Sequence, residues 1–163
     1  MKFPLLPAGN ANMIRGAWDR LSGLPGGKRL FSKAVGNAAP YTGSIDARVL
    51  ELGHGYAKVL MADRRKVRNL LRCVHAIALA NLAEVCGNLA MAYTMPDDAR
   101  FIVAGLSMSY IKKARGPITA ECHCPVPESS ATQEYEVLVT LRNSAGEEVS
   151  SSVLRTLIGP TPG

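Results

Sequence analysis

Between Arg72 and Asp97 the chain reads Cys-Val-His-Ala-Ile-Ala-Leu-Ala-Asn-Leu-Ala-Glu-Val-Cys-Gly-Asn-Leu-Ala-Met-Ala-Tyr-Thr-Met-Pro, residues 73–96. Alanine and leucine favour helix. Apolar residues fall on nearly every side of it, which predicts a buried helix over about residues 75–93. Glu84 is the only formally charged residue in this stretch. A carboxylate in such a helix is costly unless it is paired, protonated or used in chemistry.

The segment before this helix predicts two helices and a hairpin. Apolar spacing over residues 12–24 indicates one amphipathic helix, and a second, short helix stops before Pro40. Alternation then predicts strands over 44–52 and 56–62 with a turn at Gly53-His54-Gly55. In the first strand the alternation places Ile45, Ala47, Val49 and Glu51 on one side.

The segment after the helix is predicted to be β. The predicted strands are 100–111, 118–126, 131–142 and 147–157, and residues 159–163 are predicted to be a loose tail. Short loops make these strands antiparallel. The sequence therefore predicts an α+β protein with about six strands, mainly antiparallel, wrapped around the long helix. We divide it into an N-terminal helical extension, 1–40, and one domain, 41–163.

The composition indicates which classes of molecule the protein binds. The net charge of +6 and pI near 9.4 favour anionic partners, whereas 6% aromatic residues and the lack of an arginine-rich tract argue against nucleic acid. Residues 1–7 are too short and too rich in proline for a secretory signal, so we expect a cytoplasmic protein with reduced cysteines. Cys122-His123-Cys124 lies in an alternating pattern with no second ligand pair, so we expect no metal site. Polar residues within 73–95 argue against a membrane span.

Two stretches resemble a known family, the hotdog-fold thioesterases of the phenylacetate-pathway type. That family has an Asn, a Gly and then His-Gly-Gly opening its central helix, with an acidic residue nine positions after the His. Asn69, His75 and Glu84 match these positions, whereas Arg72 replaces the first Gly and Ala76-Ile77 replaces the Gly-Gly pair. The second stretch, residues 109–120, is similar to the family's strand, basic turn, Gly and strand. The resemblance covers residues 44–158 and implies a hotdog fold and hydrolysis of an acyl-CoA thioester, without a cofactor.

Helix geometry indicates how the matching residues would meet. His75 and Glu84 are nine residues apart, which places them on opposite sides of one helix and about 13 Å apart along its axis. Two such helices side by side bring Glu84 of one subunit to the helix start of the other, so we expect a homodimer or a dimer of dimers.

The resemblance also implies roles for the matching residues. The backbone N–H of Ala76 would stabilise the oxyanion, and Glu84 would act as general base or nucleophile. Asn69 would polarise the carbonyl or orient the water. His75 is either a site residue or a structural residue at the helix start. Asn88, one turn after Glu84, is placed to hydrogen-bond its carboxylate.

Basic residues in the turn at 112–115 and in the loop at 64–66 suit the phosphates of coenzyme A. The first candidates are Lys112, Lys113, Arg115 and Arg65, and Arg64 and Lys66 are further candidates.

Four alternatives stay open at this point. Glu84 would pair with Arg68 or Arg72 of a partner subunit, Asn69 would only cap its loop, the protein would bind a thioester or lipid-like ligand without cleaving it, or the fold would serve a dehydratase.

Overall fold

The computed structural model describes residues 12–161. Its helices are α1 (Met13–Leu21), α2 (Gly27–Ala38), α3 (Pro40–Gly43) and α4 (Ala76–Thr94), with a 3₁₀ turn at Arg65–Val67. Its strands are β1 (Arg48–Gly53), β2 (Tyr56–Met61), β3 (Ala99–Tyr110), β4 (Ile118–His123), β5 (Gln133–Arg142) and β6 (Glu148–Pro160). The predicted α+β class is confirmed. Residues 1–7, from which we predict no secretory signal, lie outside the described residues.

The six strands form one antiparallel sheet in the order β1-β2-β4-β5-β6-β3. Helix α4 packs across one face of this sheet. The approach is close at Gly87, where an added Cβ would lie 3.2 Å from the δ carbons of Leu154 and 3.3 Å from Val137. A glycine at this position therefore lets the helix backbone rest on β5 and β6.

Helix α4 begins and ends as the sequence predicts. His75 is its N-cap, and the helix stops at Thr94 because Met95 is extended before Pro96. By length and composition alone α4 is suited to cross a membrane, but 67% of that segment is buried inside the structure. It is therefore the core helix of the fold.

The N-terminal helices pack onto the sheet and onto α4. Trp18 of α1 and Phe31 of α2 form an edge-to-face pair with centroids 5.1 Å apart, and both are buried in the core. Arg15 donates from Nε to the Tyr93 carbonyl at 2.8 Å, which ties α1 to the end of α4. The division of the chain at residue 40 stays a prediction.

The first predicted strand is wrong at its start and on one face. Residues 44–47 precede the strand, because α3 is followed by a turn in which Asp46 has a φ of 49°. A β-bulge between Val49 and Glu51 then shifts the alternation, so that Leu52 is buried and Glu51 is exposed. Simple alternation cannot include this extra residue.

The end of the chain is also more ordered than predicted. Gly159 and Pro160 belong to β6 and pair with Arg100 and Ala99, so the predicted tail from residue 159 is wrong at its first two positions.

In the 122–124 segment Cys122 and Cys124 are buried and His123 is exposed, as the alternation predicts. Among residues 12–161 no group of three or more His, Cys, Asp or Glu side chains is placed to hold a metal ion.

The two edges of the sheet differ. At the β1 edge, Ser32 of α2 accepts a hydrogen bond from the Val49 N–H at 2.9 Å, and Lys28 donates to the Leu50 carbonyl at 2.7 Å. The 12-residue strand β3 pairs with β6 on one side and with no strand among the described residues on the other. Its side chains Ile102 and Leu106 are 65% and 41% exposed. Strand β3 is thus a long, open, partly apolar edge.

Candidate active site

The start of α4 presents a free backbone donor. The Nδ1 atom of His75 accepts the N–H of Ile77 at 3.1 Å, and the His75 N–H donates to Val67 at 2.8 Å. The N–H of Ala76, the first helical residue, has no acceptor within residues 12–161. The Tyr110 hydroxyl donates to the Ala76 carbonyl at 3.2 Å. A helix N-terminus with a free N–H carries partial positive charge and suits a developing oxyanion.

Asn69 organises the loop that leads into this helix. Its Oδ1 accepts the N–H groups of Leu71 at 2.9 Å and Cys73 at 3.4 Å, as well as the Cys73 thiol at 3.3 Å. The Asn69 Nδ2 group has no acceptor in the part of the chain that the structure describes. The side chain therefore caps its loop and still has two N–H donors to offer.

Arg72 stands where the similar family has glycine, and its backbone shows why glycine suits the position. Its φ is 55°, in the left-handed region, which costs a residue with a side chain about 1–2 kcal/mol. The Arg72 N–H donates to the Asn69 carbonyl at 3.1 Å, which closes the turn. The loop thus keeps the glycine conformation although the residue has changed.

Glu84 lies on a partly exposed stripe of α4. From Ala76 to Asn88 the positions that are not fully buried are Ala76, Ile77, Ala80, Glu84 and Asn88. At about 100° per residue, Glu84 lies about 60° around the helix from the sheet-facing Gly87. Its carboxylate makes no hydrogen bond or ion pair with another residue of the range 12–161. The carboxylate is therefore available to react with a bound molecule, because it lies on the partly exposed stripe and not in the core.

Two asparagines of α4 have unused carbonyl oxygens. The Oδ1 atoms of Asn81 and Asn88 are buried and have no donor within the described residues. The Asn81 Nδ2 donates to the Tyr41 carbonyl at 3.0 Å. No hydrogen bond joins Asn88 to Glu84 in residues 12–161, so that pairing stays a prediction.

The basic turn after β3 lies against the loop that precedes α4. The Val74 N–H donates to the Ala114 carbonyl at 2.8 Å. The Asp63 carboxylate, 8% exposed, joins Arg68 at 2.6 Å and the Gly116 N–H at 2.9 Å. The hydrogen bond from the Arg68 guanidinium, with a smaller contribution from Gly116, holds the pKa of Asp63 below its ordinary value although burial opposes this. The fold thus brings the two stretches that resemble the thioesterase family into contact.

Some basic side chains around this junction form ion pairs, and others are left to bind a ligand. Lys112 pairs with Glu147 at 3.0 Å, and Arg64 pairs with Asp46 at 3.0 Å. The other four candidates are exposed and make no ion pair with a described residue: Arg65, Lys66, Lys113 and Arg115.

An open groove of about 890 Å³ brings part of the predicted site together. It is lined by Arg65, Arg68, Asn69, Leu70, Leu71, Arg72 and His75. Glu84 and Asn88 do not line it, in keeping with their position further along α4. The sequence analysis missed Leu70 and Leu71, which are 101% and 63% exposed. Two adjacent leucines inside a basic polar loop were the signal, because such a loop gives them no core to enter.

Residues 27–158 match the model of a protein family described as Domain of unknown function (DUF4442). The chain belongs to this family. A search of curated proteins finds no match. The DUF4442 chain is similar to the crystal structure of a structural-genomics protein named APC5556, with 28% identity, a TM-score of 0.79, and coverage of 93% of this chain and 100% of that one.

Two more solved structures share the fold. One is a Pseudomonas aeruginosa protein of unknown function described as a probable thioesterase, with 20% identity, TM-score 0.74, and coverage of 85% of this chain and 97% of that one. The other is a thioesterase family protein from Silicibacter pomeroyi, with 13% identity, TM-score 0.68, and coverage of 80% and 96%. The predicted hotdog fold and its resemblance to thioesterase-family structures are confirmed.

Proposed function

We propose that this DUF4442 protein is a cytoplasmic acyl-CoA thioesterase, with its site at the interface of a homodimer or of a dimer of dimers. One observation carries the proposal. The Glu84 carboxylate and the Ala76 N–H, neither of which has a partner among residues 12–161, lie eight residues and about 12 Å apart along the axis of the same helix. The two groups suit one reaction, but a single helix keeps them apart.

The open edge of β3 supports a dimer that would bring Glu84 of one subunit close to Ala76 of the other. The outer edge of this 12-residue strand pairs with no described strand and carries exposed apolar side chains, so it is a template for pairing with another strand. In a two-fold dimer the same edge meets itself, so each α4 runs beside its mate. The side chains of Leu106 and Tyr110, 41% and 51% exposed, would then become buried.

In that dimer each site combines groups from both subunits. The Ala76 N–H of one subunit would bind the thioester oxygen, and Asn69 would orient the carbonyl or the water through its free Nδ2. Glu84 of the other subunit would take a proton from the water as it attacks the carbonyl carbon. The C–S bond then breaks, and the carboxyl returns the proton to the departing thiolate. As a nucleophile, Glu84 would instead form an anhydride that water hydrolyses.

The remaining predicted residues suit coenzyme A. Arg65, Lys113 and Arg115 offer exposed positive charge near the helix start for its phosphates. Lys112 would first have to leave Glu147, so we expect it to contribute least. The Nε2 of His75 is the ring nitrogen left to donate, since Nδ1 accepts the Ile77 N–H.

Ile77 favours a second candidate, a hotdog module that binds a thioester without cleaving it. Its side chain is 53% exposed and stands where the similar family has the second glycine of its pair. A branched side chain beside the Ala76 N–H narrows the approach of a thioester to that donor.

The test is hydrolysis of a panel of acyl-CoA thioesters by the purified protein and its Glu84→Gln variant. We expect turnover that falls by about 10²–10⁴-fold in Glu84→Gln, the scale of losing a general base. Glu51→Gln, at an exposed carboxylate on β1, is the matched control and should keep full activity. Saturable binding of the panel without turnover supports the binding module instead. Unchanged turnover in Glu84→Gln contradicts the role of Glu84.

A further inference from the structure

The loop before α4 presents two adjacent leucines to solvent. Leu70 and Leu71 are 101% and 63% exposed. The Asn69 N–H donates to the Cys73 carbonyl at 2.9 Å, and the Asn69 Oδ1 atom accepts the Leu71 N–H at 2.9 Å. These hydrogen bonds close a tight turn with both leucines at its tip, so their exposure is a property of the turn itself.

Positive charge without a counter-ion lies near these leucines. The basic residues of this loop and of the turn after β3 that are exposed and make no ion pair with a described residue are Arg65, Lys66, Arg72, Lys113 and Arg115. The Val74 N–H donates to the Ala114 carbonyl at 2.8 Å, which holds the turn against the loop. The nearby Asp63 carboxylate is 8% exposed and already paired with Arg68, and residues 64–83 include no acidic residue. Five such cations therefore flank the two leucines.

An anionic membrane surface matches both features. A cluster of about four to eight basic residues attracts anionic lipid headgroups, and apolar side chains beside it gain burial at the boundary between headgroups and acyl chains. Because Leu70 is fully exposed, a small ligand in the neighbouring groove would cover it on one side only. An extended apolar phase covers it on all sides. Nucleic acid would satisfy the cations but would leave the leucines in water.

We propose that the loop at 64–72 and the turn at 112–115 form a docking surface for anionic lipid bilayers. Leu70 and Leu71 insert among the lipids, and the basic side chains bind the headgroup phosphates. The same cations suit the phosphates of free coenzyme A, but only a bilayer also uses the leucines. The docking goes beyond thioester hydrolysis and does not depend on it.

The test measures binding of the purified protein to vesicles of phosphatidylcholine, with and without phosphatidylglycerol, by co-sedimentation at about 0.1 M salt. We expect binding only where phosphatidylglycerol is present. Leu70→Ser/Leu71→Ser should weaken it by about 10–100-fold through lost apolar burial. Arg65→Gln/Arg72→Gln should weaken it by about 30-fold, because each charge lost near an anionic surface costs about fivefold.

Matched controls carry the same changes elsewhere on the surface. Leu24→Ser/Leu138→Ser replaces two leucines that are 58% and 57% exposed. Arg20→Gln/Arg29→Gln replaces two exposed arginines of α1 and α2 that make no ion pair with a described residue. Both controls should bind the vesicles as the wild type does.

The wild type alone can overturn the proposal, by binding neither kind of vesicle or both equally. Binding that falls in the arginine variant but survives in the leucine variant would mean attraction to phosphate only, which contradicts docking through Leu70 and Leu71. Sedimentation velocity of the leucine variant without lipid should show an unchanged oligomeric state. Dissociation would mean that the leucines join two copies of the chain instead. No readout involves hydrolysis, so failure here leaves the proposed thioesterase standing.

Discussion

Ala76→Pro would remove one backbone donor from the start of α4 and leave the helix in place. Proline is favoured at the first helical position, because its fixed φ suits the helix and its missing N–H would otherwise lack an intrahelical partner. The preceding residue must be extended, and His75 already has φ −65° and ψ 140°. The Ala76 N–H has no acceptor in the described range 12–161, so its removal breaks no hydrogen bond there.

These facts set opposite expectations for stability and catalysis. The free energy of unfolding should change by no more than about 0.5 kcal/mol, the usual range for a substitution that disturbs no contact. The loss of one oxyanion donor should lower kcat by about 10²–10³-fold, equivalent to about 2.7–4 kcal/mol in the transition state. Ala76→Gly keeps the N–H and is the matched control, with activity retained.

Thermal unfolding and acyl-CoA hydrolysis are measured on the same preparations. Full activity in a folded Ala76→Pro protein would refute the assignment of this donor. A large drop in the unfolding temperature would instead mean that the N–H has a structural role, which would refute the reasoning from the unpaired N–H.

Four further predictions address the dimer, the loop junction and the core. Leu106→Lys should weaken dimerisation by about 8–60-fold, because each of the two copies loses burial worth roughly 0.6–1.2 kcal/mol. Leu138→Lys on the middle strand β5 should leave the protein dimeric. Sedimentation velocity checks both, and an unaffected Leu106→Lys dimer would exclude the β3 edge. Asp63→Asn should lower stability at pH 7 by about 1–3 kcal/mol. Because the folded pKa of Asp63 is depressed, its contribution is present above the unfolded pKa of about 3.9 and is lost as the pH falls through the folded value, so urea unfolding should show the wild type and variant converging in acid. Gly87→Val should overpack the helix–sheet contact and cost about 1–3 kcal/mol in the same assay. Burial raises the pKa of the Cys86 thiol, so alkylation at pH 8 should modify it only after unfolding, and rapid labelling of the native protein would contradict its buried position.

The elements that the sequence predicted well are those with strong local signals. The alanine- and leucine-rich run ending at Met95-Pro96 and the alternation of Ala57, Val59 and Met61 each agree with their surroundings in the fold. The start of β1 could not be predicted in this way. Its alternation is continuous in sequence. In the structure, however, Asp46 has a positive φ in the turn after α3, and a bulge follows where Ser32 and Lys28 of α2 hydrogen-bond to Val49 and Leu50.

Of the candidate site, only the features that follow from residue spacing were predictable. The nine-residue interval predicted the separation of His75 and Glu84, yet it did not reveal that Glu84 lies on a partly exposed stripe. Whether the Asn81 amide keeps an unpaired oxygen depends on the Tyr41 carbonyl, 40 residues away in sequence. Such long-range hydrogen bonds leave no periodic signal in a single sequence.

The central claim, a site shared between two subunits, is tested most directly by mixing two inactive variants. Glu84→Gln and Ala76→Pro are unfolded together, refolded as a mixture and assayed for acyl-CoA hydrolysis. If Glu84 acts across the interface, half of the dimers are mixed and each has one intact site, so about a quarter of the wild-type activity should return. If each site lies within one subunit, no subunit in the mixture is intact, and activity that stays at the level of the separate variants would contradict the account.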